Sequence, residues 1–155
     1  MNESLLDYID KAIRLELDMA QLYSIFAEYL EEDKVFWYRM EQEEKNHAAL
    51  LKTGRDFVRF NKFPIRLLPE QEAALNESIN LVSRYMDEFI DKPGREWAFT
   101  SAVELEKSAG EAHYQNFMDS DADDNLTRIF QDLNRADKDH AQRILKYWQD
   151  TVLKG

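Results

Sequence analysis

The chain has 155 residues, 44% of them hydrophobic and 33% charged, with 31 acidic against 20 basic side chains for a formal net charge of −11, and no cysteine. Such a composition suits one domain, 1–155, with a single core, and excludes a disordered chain. The acidity makes nucleic acid and anionic membrane surfaces improbable partners, and the missing cysteines exclude disulfides and thiolate metal sites. No apolar run is long enough to span a bilayer, and the polar start Met1-Asn2-Glu3-Ser4 does not read as a targeting segment, so a cytoplasmic location is expected.

The first periodic stretch, Ser4 to Leu30, places Ile9, Ala12, Ile13, Met19, Ala20, Tyr23, Phe26, Ala27 and Leu30 at helical spacing. Ser4 and Asp7 form a variant capping box. After the short break Glu31-Glu32-Asp33, a second helix from Asp33 to Phe57 carries Trp37, Met40, Ala48 and Leu51 on one face, and so short a break forces an antiparallel hairpin. Phe63-Pro64 and Leu68-Pro69 mark extended chain. A smaller amphipathic helix then aligns Leu75, Ile79, Val82, Met86 and Phe89, and Pro93-Gly94 ends it. A third major helix spans Arg95 to Met118, the acidic break Asp119 to Asp124 offers N-caps, and a fourth runs from Asn125 to Leu153. Val35–Leu51 laid over Arg128–Ile144 matches Trp37 with Phe130, Met40 with Leu133, Ala48 with Ala141 and Leu51 with Ile144. The fold expected is all-α: two antiparallel helical hairpins joined by a crossover that holds a short extra helix, packed as a four-helix bundle.

The same overlay puts Glu44-Lys45-Asn46-His47 on Asp137-Lys138-Asp139-His140. Residues three apart share a helix face, so in each pair carboxylate and imidazole can reach one ion, and their neighbours on that face are apolar. Either pair alone is as readily surface charge; recurrence at equivalent inward positions is what makes them a candidate site. Glu16 lies on the stripe of Ala12, Ile13, Met19, Ala20 and Tyr23, and Glu106 among Phe99, Ala102, Ala109 and His113. Buried unpaired carboxylates cost several kcal/mol or lose their charge. Two metal ions would satisfy all six groups, and one Glu from each of two helices plus an acid-x-x-His pair from each of the others is the ligand arithmetic of carboxylate-bridged dinuclear centres. An oxygen-rich set without thiolates suits iron or manganese. His113, Tyr23 and Glu104 are candidates to hydrogen-bond these ligands from outside, although Tyr23, Trp37 and Tyr114 read first as packing residues. Glu41, Glu43, Glu104 and Glu111 read most simply as solvated helix charge, with Glu104 and Glu111 the strongest candidates for more.

These residues resemble the rubrerythrin-like branch of the ferritin-like superfamily. Glu16 followed by Tyr23, Phe26 and Ala27 is similar to that family's first helix. Glu44-Lys45-Asn46-His47-Ala48 is similar to its second, Glu104-Leu105-Glu106-Lys107-Ser108-Ala109-Gly110-Glu111 to its third, and Asp137-Lys138-Asp139-His140-Ala141 to its fourth. The resemblance covers the four major helices and leaves Asn61–Pro93 poorly matched. It implies a ferritin-like bundle with a non-haem di-iron centre, two iron ions with manganese or a mixed pair as alternatives. Glu44 and Asp137 would bridge the metals, Glu16 and Glu106 would be terminal ligands, and His47 and His140 would cap one metal each. It implies an oxidoreductase, often dimeric, that reduces hydrogen peroxide, reacts with dioxygen or oxidises ferrous iron in oxidative stress or iron homeostasis. Non-catalytic iron binding, storage or sensing is the alternative, and a structural bundle with a vestigial site is a third reading. The chain departs from the family in three ways: Asp137 stands for the usual Glu, His113 for the usual Tyr, and there is no rubredoxin domain, so electrons must come from a separate donor protein.

Overall fold

In a computed structural model, which describes residues 3–60, 69–91, 94–113 and 125–154, the described residues form five α-helices and one 3-10 turn, with no strand among them. They are α1 (Glu3–Tyr29), the turn Glu31–Asp33, α2 (Lys34–Phe60), α3 (Pro69–Phe89), α4 (Arg95–His113) and α5 (Asn125–Lys154). Ends differ from the sequence reading by one to three residues, the usual fraying of a helix terminus. The expected continuation of α4 through Met118, the acidic break Asp119–Asp124 and the extended segment at Phe63-Pro64 lie outside the described residues. None of the helices is long and apolar enough to cross a membrane, among the described residues.

The connection of one turn between α1 and α2 makes them antiparallel, as paired positions show: Asp10 meets Arg55, Glu16 meets His47, and Tyr23 meets Trp37. The same reversal relates α4 to α5, where Phe99 stacks on Trp148 and Glu106 faces His140. These two hairpins pack through α2 against α5, where Phe36 stacks on Tyr147 at 4.1 Å and Glu44 meets His140.

One expectation needs correction. The crossover helix is not a short addition: α3 has 21 residues, against 19 in the described part of α4. Its length follows from topology. It runs parallel to α1, with Lys11 on Glu72 at one end and Phe26 on Phe89 at the other, and so carries the chain back along the bundle before α4 descends. That return spans about 31 Å at the rise of an α-helix. Leu75, Ser78, Ile79, Val82, Tyr85 and Phe89 form its buried stripe, packed against α1 and α4. Because α1 is therefore flanked by three helices, Leu15 and Leu22, off its predicted apolar stripe, are fully buried as well. Gly94 opens α4 with φ of 101°, a region that costs any residue with a Cβ, while its carbonyl accepts the first helical bond from Ala98.

One contiguous core draws on all five helices. Its aromatic end, around Phe26, Trp37, Phe99 and Trp97, is closed by a polar lock in which Arg95 donates to both carboxylate oxygens of the buried Asp33, at 2.7 and 2.8 Å. Tyr147 also donates to Asp33, and the Arg95 guanidinium lies over Trp148. The centre of the bundle is not hydrocarbon. It holds the acids and imidazoles singled out in the sequence.

Candidate metal centre

Four helices deliver the cluster. Glu16 comes from α1, Glu44 and His47 from successive turns of α2, Glu106 from α4, and Asp137 and His140 from α5. All four carboxylates are fully buried, His140 nearly so, and His47 is the most exposed of the six, with 15% of its side chain open to solvent. They fall into three overlapping triads, Glu44–His47–His140, Glu16–His47–Asp137 and Glu106–Asp137–His140, whose nitrogen and carboxylate oxygen atoms lie within 4.8 Å of one another in each. The structure thus draws together all six residues expected to be ligands.

The acids that the sequence placed at bridging positions lie between the histidines. Glu44 Oε1 is 2.8 Å from His140 Nδ1, and its Oε2 is 3.5 Å from His47 Nδ1. Asp137 belongs to two triads, one with each histidine, so its shorter side chain still reaches the centre. Glu16 Oε2 stands 3.5 Å from His47 Nδ1, and Glu106 Oε1 3.5 Å from His140 Nδ1. The imidazole rings stack with centroids 5.0 Å apart, so both present Nδ1 to the same polar interior.

The electrostatics match that crowding. Burial, reinforced by the charges of Glu44 and Asp137, holds the Glu16 carboxyl well above the usual carboxylate range. Burial also raises Glu106, against the pull of His140. Burial alone would lower the histidines, but Glu16 and Glu44 push His47 up to about 10, and Glu106 and Glu44 push His140 up to about 11. All four shifts have the same direction, toward keeping a proton on groups crowded by buried acids.

Acceptor atoms nevertheless remain: Glu44 Oε2 and Glu106 Oε2 are buried without a hydrogen-bond donor among the described residues. Buried acceptors left unmet are costly and rare in folded proteins. Carboxylate oxygens and imidazole nitrogens at these distances are a donor set that could hold a metal ion, and iron and manganese are among the ions such a set suits.

Of the outer candidates, Tyr23 donates from its hydroxyl to Glu106 Oε1 at 2.6 Å, which fixes that carboxylate. Glu104 does not join the cluster: it is exposed and accepts a hydrogen bond from Tyr85 at 2.6 Å, since two residues of helix turn it away from Glu106. The side chain of His113 lies outside those described, as does Tyr114. Two groups read as ordinary surface charge prove to be closely engaged. Glu41 is buried beside Lys45, and Glu43 pairs with Arg143 while facing His140. The Glu41–Lys45 pair is an i,i+4 spacing within α2 that the sequence does carry, whereas the partner of Glu43 is set by how α2 and α5 rotate against each other.

No protein-family model, curated protein or solved structure matches the chain.

Proposed function

We propose that the cluster holds two metal ions, iron in the first instance, and that the protein is a non-haem di-iron oxidoreductase of rubrerythrin type. The observation that carries this reading is the burial of four carboxylates and two imidazoles in one contact network with carboxylate oxygens still unmet, an arrangement that cations relieve and packing alone does not explain. A bound ferrous pair would supply the two electrons that, with two protons, reduce hydrogen peroxide to two waters, or would itself be oxidised by dioxygen or peroxide.

The chain's own residues set the conditions for that chemistry. The four carboxylates balance the charge of two divalent ions. Tyr23 holds Glu106 in place by its short hydrogen bond and keeps a proton beside the centre. The surrounding apolar core excludes bulk water, and the partly open edge at His47 is the natural approach for a small oxidant. These 155 residues hold no cysteine for a second, thiolate-ligated iron centre, and we assign re-reduction to a separate electron donor.

Protein purified from iron-replete cells or reconstituted with ferrous iron should carry two irons per chain, and peroxide should oxidise the reduced centre. A Glu44→Ala control should abolish both uptake and oxidation. Iron that binds but stays ferrous under peroxide would exclude the enzyme and leave a binding or sensing protein, and many more irons per chain would indicate storage.

A further inference from the structure

The internal repeat provides a comparison within the molecule. The register that lays Glu44 and His47 on Asp137 and His140 also lays Glu43 on Ala136, and Leu50 on Arg143. Each half therefore has one charged residue where the other has an apolar one, Glu43 against Ala136 and Arg143 against Leu50, so the charged pair can form beside one histidine and not beside the other.

In the structure those two charged residues meet. Arg143 donates from Nη1 and Nη2 to Glu43 Oε1 and Oε2, at 2.7 and 2.9 Å, a two-pronged pair that fixes the carboxylate plane. Arg143 is steadied in turn by Asp139, one helical turn back, at 3.4 Å. So held, Glu43 Oε1 stands 3.7 Å from Nε2 of His140, an electrostatic contact longer than a hydrogen bond. The other nitrogen, Nδ1, faces Glu44 and Glu106 in the interior. For Nδ1 to offer its lone pair to a cation, the ring proton must sit on Nε2, on the side where Glu43 waits.

The His47 ring lacks this arrangement. The carboxylates that face it, Glu16 and Glu44 at 3.5 Å and Asp137 of the same triad, all belong to the cluster itself. The matching positions are Ala136 and the partly exposed Leu50. Its side chain is also more open, 15% against 2% for His140.

Resting on the metal-centre reading above, we propose that Glu43, pinned by Arg143, is a positioning residue that orients His140 and makes the two metal positions unequal. The position facing His140 fills first and holds its ion, and the position facing His47 fills second and exchanges.

Titration of the cation-free protein with Co²⁺, followed by visible absorption and by calorimetry, tests this without any turnover. The natural chain should bind two ions in separable steps. Glu43→Ala should weaken the first step 10- to 100-fold, the usual effect of removing such an outer partner, and leave the second unchanged. Glu43→Gln, which keeps size and an acceptor oxygen, should lose less and carries the test if the alanine variant does not fold. Arg143→Ala should shift the same step in the same direction. Conversely, Ala136→Glu combined with Leu50→Arg, which rebuilds the pair beside His47, should tighten the second step. Two ions bound with affinities indifferent to Glu43, or a loss confined to the second step, would overturn the inference while leaving the metal centre intact. Failure of the natural chain to bind Co²⁺ at all would defeat the metal-centre reading itself, and this inference with it.

Discussion

Glu16 shows what the cluster asks of a single side chain. It sits on the apolar stripe of α1, fully buried, facing two other acids whose charge works against its own ionisation. Glu16→Gln keeps its shape and removes that conflict. The cation-free variant is expected to gain about 1 kcal/mol or more in urea unfolding, while its affinity for a divalent ion falls at least about 10-fold. A lower urea midpoint would show that the carboxylate is already satisfied. Tyr23→Phe acts in the other direction: deleting the hydroxyl that serves Glu106 should cost about 1–3 kcal/mol by the same measurement.

The histidines add a pH dependence. Both have folded-state values raised above 6.5, to about 10 for His47 and about 11 for His140. Their contribution is thus fully present below pH 6.5 and is lost as pH rises through 10 to 11; the raised values of Glu16 and Glu106 act with the same sign. The urea midpoint of the cation-free protein should fall steadily from neutral pH to pH 10. Metal binding must displace the imidazole protons, so uptake in weak buffer should release protons and tighten as pH rises.

At the scale of elements, the meeting of three helix ends matters most. Asp33 ends the turn just before α2, Arg95 opens α4, and Tyr147 lies in the last turns of α5, so one ionic lock ties both hairpins at the aromatic end. Arg95→Ala would leave the buried Asp33 with Tyr147 as its remaining side-chain donor among the described residues. It is expected to cost about 3 kcal/mol in denaturant unfolding, the scale for removing one partner of a buried pair. The sequence made the helices legible because α1, α2 and α5 carry long apolar stripes broken by few glycines. Glu16, Glu44, His47, Asp137 and His140 were legible because acids and imidazoles lying on those stripes are conspicuous, and Glu106 because it stands among the apolar residues of α4. The lock and the Glu43–Arg143 pair were not. Asp33 looked like part of an acidic break and Glu43 like solvated charge, and only tertiary packing tells a paired surface acid from a free one. The size of α3 was missed for a related reason: its length is dictated by the distance the crossover must travel, which local periodicity does not encode.

For the whole molecule, the acidic surface and the acidic interior are separate matters. A net charge of −11 favours solubility and local enrichment of cations, whereas the interior acids are tolerable only when neutralised. Hydrophobic packing from all five helices therefore holds together a centre that destabilises itself when empty of cations, and bound metal should raise the melting temperature in proportion to its affinity. The most direct measurement is anomalous diffraction at the iron edge from crystals grown anaerobically with ferrous iron. Two peaks are expected within the cluster, one toward His47 and one toward His140, with Glu44 and Asp137 between them. Iron confined to surface carboxylates, or absent from a correctly folded bundle, would contradict the account.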